Sequence, residues 1–148
     1  MISHATQPVA NRPLRPNTFA IPGFLARIDL EAIAWRATRY PGVTWCRLTA
    51  SMDLDAGETA TASNAVLIRM APGRGYPGHR HTGVEDVLIL AGGYRDEFGT
   101  HSSGTFLRYP AGSEHNPVAT GRSDVPEGPA NPACVLFAVT RGTVDLAG

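Results

Sequence analysis

The stretch from Gly73 to Gly92 constrains the fold of this chain most strongly, because it holds three potential metal ligands within seven residues. His79, His81 and Glu85 all have odd numbers. Side chains alternate between the two faces of a β-strand, so extended structure can direct all three to one face. Two imidazoles and a carboxylate suit iron, manganese, zinc, nickel or copper. The stretch therefore predicts part of a metal site in β-structure, completed by one or two ligands from elsewhere in the chain.

Glycine and proline interrupt the apolar runs along the whole sequence. The 16 Gly and 12 Pro separate short apolar segments, which is typical of an all-β sandwich or barrel with little helix. Residues 121–132 form a long loop without periodicity, and such a loop is either a lid or binding loop or a disordered surface insertion. The predicted strands are Val43 to Ala50, Asn64 to Met70, Glu85 to Leu90, Tyr94 to Phe98, Thr105 to Tyr109 and Cys134 to Thr140.

The length of 148 residues predicts one domain. Residues 1–20 are polar, contain three prolines and show no periodicity, so we expect an N-terminal arm there and a single domain over residues 21–148.

Lys plus Arg equals Asp plus Glu at 13 each, without a basic run, so nucleic acid is not an expected partner. No long apolar run or apolar signal core is present, which argues against a membrane and for a cytoplasmic protein.

Two glycine-rich blocks carry the histidines at regular spacings. The first block has Gly73, five residues, His79-x-His81, three residues, Glu85, six residues and Gly92. The second block has Gly104, five residues, Pro110-x-Gly112, two residues and His115. These spacings, over residues 73–92 and 104–115, resemble the two motifs of the cupin superfamily, in the same order along the chain.

The resemblance to cupins implies a fold and a ligand set. The implied fold is an all-β, double-stranded β-helix (jelly-roll) barrel. The implied cofactor is one divalent transition metal ion, Fe, Zn, Mn or Ni, which leaves one or two coordination positions open for a small-molecule substrate. The asparagine that usually closes the second motif is replaced here by Ala119. The ligands that the resemblance implies are His79, His81, Glu85 and His115.

Within the cupins, the sequence around the motifs is similar to that of the cupin domain of ChrR-type anti-sigma factors and to that of related small dioxygenase-like cupins. The similar stretches are PGVTWCRL, VLIRMAPG, HRHTGVEDVLILAGGYRDEFG and GTFLRYPAGSEHNP. This resemblance implies a metal-dependent, dioxygenase-like enzyme acting on a small carbonyl compound. The alternative is a zinc-binding, ChrR-like sensing or ligand-binding module without catalysis. The first 40 residues hold one histidine, His4, and no cysteine, so the zinc-binding domain of an anti-sigma factor is not expected in this chain.

The remaining candidates are less specific, and no catalytic residue can be named from the sequence. Arg69, Tyr76 and Arg108 are candidate substrate contacts, with structural or solvated roles as the alternative. Glu97 and Glu114 are candidate carboxylates around the metal ligands, or solvated side chains. We also expect a homodimer, from the resemblance and because a small barrel tends to cover its sheet edges with a partner.

Overall fold

The protein is built from β-strands. A computed structural model describes residues 33–48 and 64–146. Within these ranges no helix occurs, so the described residues contain no helix that could span a membrane. The predicted N-terminal arm, residues 1–20, lies outside the described residues. The all-β prediction is confirmed.

The strands of the described ranges form three antiparallel sheets. The largest has six strands in the order β1-β2-β3-β11-β5-β8, and the two smaller sheets have the orders β10-β6-β7 and β12-β4-β9. Together they have the jelly-roll arrangement predicted from the motifs. The strands are β1 (Arg36–Ala37), β2 (Val43–Arg47), β3 (Asn64–Met70), β4 (His79–His81), β5 (Glu85–Ala91), β6 (Gly93–Asp96), β7 (Gly99–Ser102), β8 (Phe106–Tyr109), β9 (Glu114–His115), β10 (Val118–Ala119), β11 (Cys134–Thr140) and β12 (Val144–Leu146).

Long apolar runs predicted strand positions well, whereas some of the short strands were missed. The bounds of β3 and β11 are those predicted, and β3 lies between β2 and β11 inside the six-stranded sheet. Strands that are apolar on both faces belong in the interior of a sheet. Strands of two to four residues, such as β7 and β10, are too short to show a periodicity of their own.

The core lies against the inner face of the six-stranded sheet. It also includes Tyr94 from β6 and Ala119 from β10, so the core joins this sheet to the β10-β6-β7 sheet. Ala119, at the position where the second motif usually has asparagine, is fully buried and paired with Tyr94. The buried core cluster comprises Val43, Met70, Val87, Ile89, Tyr94, Tyr109, Ala119, Cys134, Leu136 and Ala138.

The loop over residues 121–132 is ordered by the buried side chain of Asn131. The Asn131 amide nitrogen donates to the carbonyl oxygens of Arg122 at 3.0 Å and Val125 at 2.9 Å, and its oxygen accepts from the Arg122 backbone N–H at 2.9 Å. One amide thus replaces the backbone hydrogen bonds that a loop lacks. The disordered-insertion alternative is therefore wrong.

Gly83 forms the turn that separates β4 from β5. A Cβ atom added at this position would lie 1.4 Å from the carbonyl oxygen of Arg141. Arg141 follows β11 directly, and its backbone N–H donates to the Val84 carbonyl oxygen at 2.9 Å. Only glycine permits this close approach of two backbones, so Gly83 sets the path of the chain from His81 to Glu85.

We predict that Gly83→Ala lowers the free energy of unfolding by about 1–3 kcal/mol or more, because the added methyl overlaps a backbone atom that cannot rotate away. Gly128→Ala is the matched control, since no atom lies within 4 Å of a Cβ added there. Urea denaturation of both variants measures the difference. Equal stabilities would show that the Gly83 turn relaxes without cost.

Candidate metal centre

Strands β4 and β9 bring the three histidines together. The β4 residues alternate in burial, so that His79 and His81 point inward and Arg80 points outward. Strand β9 pairs with β4 in a register that places His115 directly opposite His79. Facing residues in an antiparallel pair have adjacent side chains, and the alternation along β4 adds the third ring.

Glu85 reaches the same point from a different sheet. It is the first residue of β5, which belongs to the six-stranded sheet, whereas β4 and β9 lie in the β12-β4-β9 sheet. The alternation of side chains therefore explains why His79 and His81 share a face, but it does not explain the position of Glu85. The turn at Gly83 brings this carboxylate to the histidines.

The four side chains converge closely and are buried. Their relative exposures are 5% for His79, 1% for His81, 8% for Glu85 and 5% for His115. The Nε2 atom of His79 lies 3.0 Å from Nε2 of His81 and 3.1 Å from Nε2 of His115. Nε2 of His81 lies 3.1 Å from Oε2 of Glu85. One ligand atom from each of the four residues lies within 4.8 Å of all the others.

Hydrogen bonds on the outer side of each ring fix the tautomers. Nδ1 of His79 lies 2.8 Å from the Pro77 carbonyl oxygen, which can only accept. Nδ1 of His81 lies 3.2 Å from Oγ of Ser113, whose own hydrogen goes to the Pro110 carbonyl oxygen at 2.6 Å. Both Nδ1 atoms therefore carry the hydrogen, and both Nε2 atoms are unprotonated in the neutral ring.

Asp96 fixes the tautomer of His115 in the same way. Its Oδ2 lies 2.9 Å from Nδ1 of His115, and the Asp96 side chain has no exposed surface. Burial alone would raise the pKa of Asp96, but hydrogen bonds from Tyr109, His115 and His101 and from the Phe98 backbone lower the pKa to about 2. The carboxylate is therefore ionised and accepts the Nδ1 hydrogen of His115.

The inward-facing atoms form a set of acceptors that a cation would satisfy. Burial lowers the pKa of both His79 and His115, which favours their neutral forms. In the neutral rings with these tautomers, the Nε2 acceptors of all three histidines converge on a carboxylate oxygen of Glu85, and a buried group of acceptors without donors is unfavourable. A divalent transition metal ion suits this mixed nitrogen and oxygen donor set, so the residues present fit the ion that the motifs imply.

Asp96 and two tyrosines form a hydrogen-bond chain behind His115. The Tyr109 hydroxyl donates to Oδ2 of Asp96 at 2.7 Å, and the Tyr94 hydroxyl lies 2.7 Å from that of Tyr109. Burial raises the pKa of both tyrosines, so both hydroxyls stay protonated. Nε2 of His101 lies 3.0 Å from the other Asp96 oxygen, Oδ1. His101 is therefore part of this network.

Sequence reasoning missed Asp96 and considered its neighbours instead. Glu97 and Glu114 are both exposed, and the Glu97 carboxylate accepts a hydrogen bond from the Asn116 backbone N–H at 2.8 Å. A signal was present, because Asp96 lies two residues after the buried Tyr94 and shares its face of β6. From the alternation along this strand, an inward-facing Asp96 side chain could have been predicted.

A cavity of about 560 Å³ opens onto the candidate ligands His79, Glu85 and His115. This volume lies in the usual range for small-molecule sites. Tyr76 is the one predicted substrate contact in its wall, whereas Arg69 pairs with Glu127 and Arg108 pairs with Asp86. No residue of the 121–132 loop lines this cavity. The lining is otherwise largely apolar and aromatic, with Tyr40, Val43, Trp45, Val66, Ile68, Met70, Val87, Tyr94 and Leu136 among its residues.

Several solved structures are similar to this chain. A chain from the complex of SigE with the anti-sigma ChrR of Rhodobacter sphaeroides is 29% identical, with a TM-score of 0.57, over 76% of this chain and 51% of that one. This chain thus spans about half the length of that relative. No curated protein sequence matches it.

Two enzymes share the fold at lower identity. An acetylacetone dioxygenase from Acinetobacter johnsonii is 12% identical, with a TM-score of 0.62, over 89% of this chain and 83% of its own. The polyketide cyclase RemF from Streptomyces resistomycificus is 19% identical, with a TM-score of 0.58, over 84% and 87%. At these identities the similarity establishes the fold alone.

The sequence itself places the chain in a family. The model of the ChrR cupin-like domain matches residues 25–125, more than half of the 148 residues, and this range includes both motifs and all four converging side chains. The protein therefore belongs to the ChrR cupin-like domain family.

Proposed function

We propose that His79, His81, Glu85 and His115 hold one divalent transition metal ion, and that the protein is a dioxygenase-like enzyme acting on a small carbonyl compound. The observation that carries the proposal is the convergence of one potential ligand atom from each of four buried side chains, three of which line a cavity. A metal ion held there supplies a Lewis acid for a carbonyl oxygen and, where the metal is redox-active, chemistry with dioxygen.

The protein side chains determine which substrate charge this site favours. The three histidines are neutral ligands, so Glu85 is the single ligand that contributes negative charge. A divalent ion among these ligands keeps a net positive charge, which favours the enolate form of a carbonyl compound over its neutral form. His79, Glu85 and His115 line the cavity and His81 does not, so a substrate would approach from the side of these three ligands.

The second candidate is a zinc-binding, ChrR-like sensing or ligand-binding module without catalysis. It is favoured by the 29% identity to the chain from the SigE–ChrR complex. The same four ligands suit zinc, and a buried metal site stabilises a fold whether or not it catalyses a reaction. The two candidates therefore differ in the metal and in turnover rather than in the ligand set.

Three further expectations from composition remain predictions: a cytoplasmic location, the absence of a nucleic-acid partner and the absence of a membrane partner. A small-molecule ligand is the kind of partner that the cavity supports, since its volume and apolar walls suit a compact organic compound.

The metal content of the purified protein, followed by dioxygen uptake, separates the two candidates. We expect equimolar metal and, after iron reconstitution, dioxygen uptake with β-diketones or hydroxyaryl ketones. His79→Ala should lose the metal and lower the melting temperature, whereas the control Glu114→Ala, an exposed neighbour of His115, should retain both. Zinc at full occupancy, with no uptake in any reconstituted form, would refute the dioxygenase. Unchanged metal content in His79→Ala would refute the ligand assignment.

We predict that Asp96→Asn weakens metal binding about 10- to 100-fold, because a neutral amide no longer provides the buried negative charge that orients His115. The measurement is competition with a chromophoric chelator, and circular dichroism verifies the fold of the variant. Asp124→Asn is the control, since that carboxylate is exposed and pairs with Arg122. An unchanged dissociation constant in folded Asp96→Asn would contradict the role assigned to Asp96.

The expected homodimer also remains a prediction, and an apolar surface on the six-stranded sheet supports it. Leu88 and Phe106 are register partners on β5 and β8, and both are exposed, at 36% and 60%. Leu90, also 36% exposed, lies on the same face of β5. Strand β8 is at the edge of this sheet, where a second copy can cover both edge and face.

We predict a dimeric mass by light scattering for the unmodified protein, and a shift toward monomer for Phe106→Ser, because the substitution removes the largest apolar side chain of this surface. Val125→Ser is the control, since Val125 is 40% exposed but lies in the 121–132 loop. A monomeric mass for the unmodified protein at all concentrations would contradict the dimer.

A further inference from the structure

The charged side chains of the cavity are unevenly distributed. Arg39 and Arg47 belong to its lining, and Glu85 is the single acidic residue among the lining residues that the structure describes. The Glu85 carboxylate faces the histidine cluster, with Oε2 at 3.1 Å from Nε2 of His81. Among the described residues, neither arginine has a carboxylate within ion-pairing distance. The cavity therefore has two cationic groups whose charge no described acidic side chain offsets.

Each arginine lies over an aromatic ring of the cavity wall. The guanidinium carbon of Arg39 is 5.1 Å from the centre of the Tyr40 ring, and that of Arg47 is 5.6 Å from the Trp45 ring. Nε of Arg39 also donates a hydrogen bond to the Tyr40 hydroxyl at 2.9 Å. Stacking limits the freedom of both side chains and leaves most of their N–H groups available. The two guanidinium groups are thus positioned to bind an anion.

A continuous aromatic wall connects Arg39 to the metal ligands. The Tyr40 ring packs edge-on against Tyr76 with centroids 5.1 Å apart, and Tyr76 packs against the His79 ring at the same distance. One face of the cavity therefore changes from cationic at Arg39 to aromatic at the tyrosines and then to the histidine cluster. A ligand along this wall would meet a cation, an apolar surface and the metal ligands in that order.

We infer that the cavity binds an aromatic carboxylate whose carboxylate group lies at Arg39, the cationic end of the aromatic wall, and whose carbonyl end lies at His79, Glu85 and His115. The planar carboxylate matches the fork of donors on a guanidinium group. The aromatic body matches the apolar and aromatic walls, and the cavity of about 560 Å³ accommodates a molecule of this size. The inference extends the proposed function to a substrate class and rests on it for the position of the carbonyl end.

Binding of a matched pair of probes tests this inference. Benzoylacetone and its para-carboxyl derivative share the diketone and the ring, and they differ in the distal anion. Calorimetry on the full-length protein, with dioxygen excluded, should show tighter binding of the carboxyl derivative. The double variant Arg39→Gln/Arg47→Gln should weaken the carboxyl derivative roughly three- to tenfold and leave benzoylacetone unchanged. Added salt should reduce the difference.

Two controls separate a charge effect from a folding effect. Arg95→Gln removes an exposed arginine on β6 outside the cavity lining and should leave both probes unchanged. Arg39→Lys/Arg47→Lys retains the charge and should restore part of the preference. Equal affinity of the unmodified protein for both probes, or an equal loss for both probes in the glutamine double variant, would overturn the inference.

A second probe pair distinguishes this inference from the proposed function. Naphthoate and its methyl ester do not offer a diketone to a metal, so metal-depleted protein should still prefer naphthoate if the arginines recognise the carboxylate. That preference, together with no dioxygen uptake by the iron-reconstituted protein, would refute the dioxygenase and retain the carboxylate site. Dioxygen uptake by the iron-reconstituted protein, without any preference between naphthoate and its methyl ester, would retain the dioxygenase and refute the carboxylate site.

Discussion

Three hydrogen bonds on the outer nitrogens of the histidines hold the three rings in one orientation and one neutral tautomer. The Pro77 carbonyl oxygen, the Ser113 hydroxyl and the Asp96 carboxylate each accept a hydrogen from an Nδ1 atom. The lone pairs of the three Nε2 atoms consequently face inward, where the Glu85 carboxylate adds a further acceptor. A buried group of acceptors without donors is costly, and the same group becomes favourable around a cation. The fold and the proposed metal ion are thus complementary in charge.

All three sheets meet at this point. His79 and His115 come from the β12-β4-β9 sheet, Glu85 comes from the six-stranded sheet, and Asp96 comes from the β10-β6-β7 sheet. Tyr109 on β8 adds a second connection, because its hydroxyl donates to Asp96. A ligand set drawn from separate sheets depends on how those sheets pack, so stability of the fold and geometry of the site are linked. A metal ion bound there would hold two of the sheets together directly.

The sequence predicted which four residues converge, but it did not predict why all of them converge. The motif spacings selected the four residues that converge, and the alternation along β4 correctly placed His79 and His81 on one face. Glu85 is different, because its position depends on a turn and on sheet packing that no local periodicity describes. Asp96 was missed for a related reason: alternation places it on the same face of β6 as Tyr94, but which face of that strand points inward depends on the packing of the sheets.

The ligand set and the cavity wall are separable parts of this protein. The four converging side chains lie within the two motifs, at residues 73–92 and 104–115, whereas Arg39 lies before β2 and Arg47 at its end, outside both motifs. The fold is similar to that of an acetylacetone dioxygenase, a polyketide cyclase and a chain of an anti-sigma complex, and these proteins have different roles. Residues that bind a metal can stay the same while the β1–β2 region changes the charge of the cavity. In the proposed complex, Arg39 would select a ligand by the anion at its distal end, and the histidines and Glu85 would determine the chemistry at the other end.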